Sequence, residues 1–319
     1  MSHDHDHGPD GHEHLHEDPQ YEVQEMEEEQ VRKLLEEGKL VQVAGPEGEA
    51  LFIEREAFDE GVRMDLAQNA DNAPYLIGVG GLLLEGEHQE LAEAAAGLAL
   101  TADPASPEAQ LFAGIVAARG GRLEEALGPL DRHLEMAPNS SMGHTNRANV
   151  LLAMGRTTEA HAAARRALSL DPNDVSAIQV LVAGDDGAAG ALERTKQLAA
   201  EVKGWGVLRV AGDLAATLGD DTTAVAYWKQ SMALGADDAT IANLLAQLGQ
   251  AGRIDELVSI ADELPRLSDR DPGLRWNVAS GYEAAGREAE ARIVFASIAH
   301  DAGAAPDVRA AAQAKLDEA

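Results

Sequence analysis

Histidine is the residue whose spacing first suggests chemistry. His3, His5 and His7 stand two apart, as do His12, His14 and His16, with aspartate, glutamate and glycine among them. Imidazole nitrogens bind Zn, Ni, Co and Cu, and the interleaved carboxylates concentrate cations around them. A flexible tract can wrap several of these rings around one ion. Residues 1–20 therefore form a candidate divalent-metal site, with no fixed geometry to select the metal. The same tract also reads as a purification tag or a solubilising tail, although a tag is usually an unbroken run of histidine. It has too little apolar content to offset the entropy of ordering, so disorder is expected.

Few other residues suggest catalysis. The chain has no cysteine, which excludes disulfides, thiolate metal sites and cysteine nucleophiles. It shows no glycine-rich phosphate loop after a strand, no H-E-x-x-H motif and no nucleophile spaced with a base. The run Gly78-Val79-Gly80-Gly81 lies within a helical segment and is discounted as a dinucleotide loop. His88, His133, His144, His161 and His300 are scattered and expected at the surface or partly packed. A non-enzymatic protein is expected, although a site assembled from distant segments stays open at this stage.

Charge narrows the partners. Lys plus Arg number 25 against 56 acids, a formal net charge of −31, so nucleic acid and anionic membranes are poor partners. The first thirty residues hold eleven acids and no Lys or Arg. The start has no basic, apolar leader, and stretches such as Leu111–Ala118 are far too short to span a bilayer. A cytoplasmic location is the expectation, and the missing cysteine fits a reducing compartment.

These residues need elements to hold them. Aromatics are only 3% of the chain, and its apolar share is mostly alanine and leucine, the strongest helix formers. Residues 21–37 read as a helix ended by Gly38. The segment 40–53 reads as a hairpin around Gly45-Pro46-Glu47-Gly48, and 54–72 as a further helix. A hairpin alone is barely stable, so it must dock or pair with a copy.

From residue 73 the chain repeats. Pro104, Pro138 and Pro172 recur at 34-residue intervals, after ALTADP-, LEMAPN- and LSLDPN-type endings. In the same register Gly80, Gly114 and Ala148 occupy the eighth position, and Ala92, Ala126 and Ala160 the twentieth. Small residues at both places let two helices approach closely, and proline ends one unit and opens the next. Units at 205–238 and 272–305 keep the pattern. The unit at 239–271 has Leu257 where alanine is expected, and 175–204 is interrupted by Gly184-Asp185-Asp186-Gly187, with helices that look short.

This period resembles the tetratricopeptide repeat (TPR) family. The resemblance implies an all-α fold, a right-handed α-solenoid of antiparallel helix pairs, after a small N-terminal helix and β-hairpin region. The expected organisation is a tail at 1–20, an entry region at 21–72, about seven units at 73–305 with 175–204 degenerate, and a capping helix at 306–319. It also implies a peptide groove lined by the first (A) helix of each unit. Groove candidates are then Asn146, Asn149, Asn243 and Asn277, whose amides suit an extended backbone, with Arg147, Arg209, Arg275 and Trp276 at groove or rim. Some family members capture acidic C-termini with a lysine and asparagine clamp. The corresponding positions here carry Leu111 and Thr145, and no lysine falls between Lys39 and Lys196. A non-acidic protein or peptide segment is the expected partner.

The expected function is a protein-interaction scaffold or adaptor, with accessory divalent-metal binding (Zn, Ni, Co or Cu) by the tail. One alternative is a metal-handling chaperone or assembly factor that delivers Ni, Zn, Co or Cu to a docked client. Another is a self-assembling structural protein, a homo-oligomer joined by solenoid ends or the hairpin edge.

Overall fold

The structure is a computed structural model that describes residues 28–44 and 50–318. The histidine tract and the Gly45–Gly48 turn lie outside these described residues. The chain divides into two compact units, residues 1–60 and 61–319.

In the first unit, α1 (Glu28–Glu36) ends at Gly38, whose φ of +69° needs no Cβ. Strands β1 (Leu40–Ala44) and β2 (Ala50–Glu54) follow as an antiparallel pair, with Val41 opposite Ile53 and Gln42 opposite Phe52. The expected helix over 21–37 is described from Glu28 onward. Helix α2 (Arg55–Gln68) has residues in both units.

The second unit is a stack of helix pairs: α3 (Ala73–Glu85) with α4 (Gln89–Ala102), α5 (Pro107–Arg119) with α6 (Leu123–Met136), and α7 (Ser141–Ala153) with α8 (Thr157–Leu170). Then come α9 (Val175–Val182) with α10 (Gly187–Glu201), α11 (Trp205–Thr217) with α12 (Asp221–Ala233), α13 (Asp238–Gln250) with α14 (Ile254–Ala261), and α15 (Pro272–Ala284) with α16 (Glu288–Ala299). Helix α17 (Pro306–Asp317) packs on α16. Together these form a TPR-type α-solenoid. Among the described residues, no helix is long and apolar enough to cross a membrane.

Local sequence fixes each unit in three places. The A helices start on side-chain caps: Ser106, Ser140, Asp174, Asp220 and Asp237 each accept an N–H from the first turn of the following helix, although Asp220 caps a B helix, α12. Gly121, Gly155, Gly219, Gly252 and Gly286 turn the chain from A to B with φ between +70° and +76°. Between the helices, Ala92, Ala126, Ala160 and Ala224 are fully buried. At the eighth position, a Cβ on Gly114 would stand 2.6 Å from Leu130 Cγ.

The irregular units have visible causes. Helix α9 has only 8 residues, and Arg194 substitutes for its missing last turn. The guanidinium donates to the Val182 carbonyl at 2.9 Å and to both Asp186 oxygens at 2.8 and 2.7 Å. The expectation of short helices in 175–204 holds for α9 only, since α10 runs 15 residues. In the next-to-last pair, Leu257 stands at the alanine position. It fits because Gly281 of α15 leaves room for its methyls.

Gly114→Ala should cost about 1–3 kcal/mol, since the new methyl has no space beside Leu130. Glu87 takes the αL place held by glycine in other units, with φ +61°. Glu87→Gly should therefore add roughly 0.5–1 kcal/mol. Denaturant melts of both variants check these signs.

Candidate functional site

Successive A helices pack on one another: α3 on α5, α5 on α7, α7 on α9, α9 on α11, and α13 on α15. Among the described residues no two B helices pack in that way, so the A helices line the tighter side of the stack. Asn149 and Asn243 are exposed there, and Asn146 is half-buried. Asn146 Nδ2 donates to the Met142 carbonyl one turn back at 2.9 Å, which orients its amide and leaves Oδ1 outward-capable. Arg147 pairs with Asp131 of α6 at 2.7 Å. Thr145 is buried and donates to Asp174, the cap of α9.

The joint between α12 and α13 is more open than the other joints between pairs. It leaves a small cleft of about 10 Å³, room for a single water, lined by Arg209 and Asp213 of α11, Trp228 of α12, and Thr240, Leu244 and Gln247 of α13. Gly212 makes the geometry, because any Cβ there would collide with the Trp228 indole. The indole thus lies against α11 and donates Nε1–H to Asp213 Oδ1 at 3.0 Å. The other oxygen, Oδ2, faces Arg209 Nε across a long 3.5 Å. Burial pushes the Asp213 carboxyl above its ordinary value, opposed by the Arg209 charge and the Trp228 hydrogen bond. A half-buried carboxylate, a loosely held guanidinium and two polar side chains at the rim give this spot the donors and acceptors to hold a water.

A family model described as tetratricopeptide repeat matches residues 141–174, which comprise α7, α8 and the cap of α9. Residues 141–174 thus carry one tetratricopeptide repeat. The seven helix pairs extend that unit along the chain. Among solved structures of similar repeat proteins, MamA 41-end from Desulfovibrio magneticus RS-1 is 20% identical over 51% of this chain and 94% of its own, with TM-score 0.35. YrrB, a TPR protein with an unusual peptide-binding site, is 20% identical over 57% of this chain and 96% of its own, at TM-score 0.36. The type IV pilus biogenesis factor PilW is 21% identical over 54% of this chain and 82% of its own, at TM-score 0.40. Comparison with curated proteins finds no match.

The other sequence candidates sit elsewhere than on an open groove. Arg275 is only 2% exposed. Its guanidinium donates to the Ser297 carbonyl at 3.0 Å and to the Asp301 carboxylate, and so fastens α15 to the end of α16. That corrects its placement at the groove or rim, because a guanidinium held inside the packing has no face for a ligand. Trp276 is half-buried, edge-on to Phe295 with ring centroids 5.2 Å apart. Asn277 Nδ2 donates to the Ala242 carbonyl at 2.9 Å and ties α15 to α13. His133, expected at the surface or partly packed, is fully buried, with Nδ1 2.8 Å from the Pro107 carbonyl. The sequence reading missed Asp213, Trp228 and Gln247. Only Gly212 followed sixteen residues later by Trp228 hinted at an indole lying over a bare helix. Among the described residues no three His, Asp or Glu side chains converge as a metal site, and His3, His5, His7, His12, His14 and His16 lie outside them.

Because the folded pKa of Asp213 is raised, the folded state binds its proton more readily than the unfolded chain does. This residue's penalty on stability is therefore full at neutral pH and falls as pH drops toward 3.8. Asp213→Asn keeps an acceptor for Trp228 and should melt above wild type at pH 7, with the gap narrowing at acid pH. An advantage that does not change with pH would contradict this account of the cleft.

Proposed function

We propose that this protein is a non-enzymatic interaction scaffold that holds an extended, non-acidic protein or peptide segment on its A-helix side. The observation that carries this reading is the exposed amides of Asn149 and Asn243, with Asn146 half-buried beside Asn149, all on A helices. An amide offers one donor and one acceptor, the pair an extended backbone requires at each peptide. The charge balance supports the choice of partner. The chain's net charge is −31, and most of its arginines already pair with its own acids, as Arg122 does with Glu93 and Arg287 with Asp262. An acidic segment would meet repulsion with little left to offset it.

A second reading rests on the tail. Interleaved histidines and carboxylates at residues 3–16 support accessory binding of Zn, Ni, Co or Cu, and in the stronger form delivery of such an ion to a client held by the array.

One experiment separates the two. The intact protein is used for affinity capture from its own cells, with and without chelator, beside a deletion of residues 1–20 and a triple Asn146→Ala, Asn149→Ala, Asn243→Ala variant. The scaffold reading expects the partner set to survive chelator and deletion, and to fall roughly tenfold or more in the triple variant, a loss of about 1.4 kcal/mol. Retention of every partner by the triple variant defeats the amide assignment. Loss of partners on chelation favours metal delivery.

A further inference from the structure

We propose that the free edge of β2 is a self-association surface, on which β2 of a second copy pairs antiparallel about a twofold axis centred on Phe52. The argument begins with backbone direction. Arg55 N–H donates to the Lys39 carbonyl at 2.8 Å, so Arg55 faces β1. Backbone groups alternate along a strand, and the register therefore turns Ile53 and Leu51 toward β1 as well. Ala50 and Phe52 send their N–H and C=O groups to the other edge, and Glu54 its N–H, while the Glu54 carbonyl opens α2. Among the described residues β2 pairs only with β1, and β1 has α1 beside it.

Twofold pairing about Phe52 sets Phe52 opposite Phe52 and Ala50 opposite Glu54. These are the residues whose backbone groups face outward, so the central Phe52 pair exchanges both of its hydrogen bonds and each Ala50–Glu54 pair gains the one from the Glu54 N–H. A centre at Leu51 or Ile53 would instead oppose groups already used by β1. The same register brings Leu51 opposite Ile53. Phe52 is 40% exposed and Leu51 37%, so both gain cover. The strand, Ala-Leu-Phe-Ile-Glu, has none of the proline, lysine or bulging glycine with which edges are usually blocked.

Electrostatics agree. Two chains of charge −31 repel over most of their surfaces. Within β1 and β2, however, the only charged residue is Glu54, and the pairing sets it opposite an alanine.

Light scattering of the full chain across a concentration series tests the proposal, with a rise from 33.6 kDa to twice that mass expected. Phe52→Pro removes an N–H that β1 does not use, and Phe52→Lys adds an edge charge. Both should return the mass to 33.6 kDa with the helical circular dichroism unchanged. A directly opposed, hydrogen-bonded pair has Cα atoms about 5.5 Å apart, within disulfide range. Phe52→Cys should therefore oxidise to a covalent dimer, with no native cysteine to compete. A monomer at every concentration overturns the proposal. So does a dimer that survives both substitutions and leaves Phe52→Cys uncrosslinked.

Discussion

The two helices of each repeat must lie close enough that neither can carry a side chain where they cross, and the rest of the array follows from this. Alanine at the twentieth position and glycine or alanine at the eighth remove the obstruction. The backbones then approach until residues such as Leu130 pack directly on the facing helix. Once the pair is closed, the αL glycine fixes the turn between its helices and the next cap restarts the chain. Stacking follows because each pair still has an apolar face that only a neighbour can cover. Scarce aromatics are a consequence, since a seam built on small residues has little room for rings.

The candidate chemistry arises where this rule bends. Leu257 replaces the small residue of its pair, and Gly281 gives it room. Just before it, α12 and α13 stand apart, and the gap is the cleft. Gly212 and Gly114 both make room for the side chain sixteen residues on, but at Gly212 that side chain is an indole in place of leucine, and it carries a hydrogen-bond donor to Asp213. A carboxylate that would be solvated on a regular helix face is half-buried as a result. At α9 the repair is polar, with Arg194 completing a truncated helix end. These departures distinguish one unit from another on a scaffold that would otherwise present the same surface seven times.

The sequence made the fold legible because the pattern is local and periodic. Proline spacing, small residues and turn glycines all lie within one repeat, and each has a steric meaning without its neighbours. The candidate site was legible only in part. Asn149 and Asn243 are open as their positions suggest, and Arg209 does line the cleft. Arg275 occupies a position of the same kind and is buried, because Asp301, beyond the end of the following helix, draws its guanidinium inward. Asn277 spends its donor on Ala242 of another repeat. Ala242 lies 35 residues away in another repeat, and Asp301 lies 26 away in the same unit but past its last helix, where the repeat pattern says nothing.

What the sequence alone determined is therefore the unit: its period, its turns, the crossing of its two helices and the acidic balance of the whole chain. Only the tertiary structure decided which polar side chains of the A helices stay available, and that a cleft opens between α12 and α13. The physical reason is one of range. Helix crossing and turn geometry depend on steric limits between residues within one 34-residue unit. Whether an amide, guanidinium or carboxylate remains free depends on hydrogen-bond partners and burial that become neighbours only when the helices pack, within the unit for Arg275 and Asp213 and between units for Asn277.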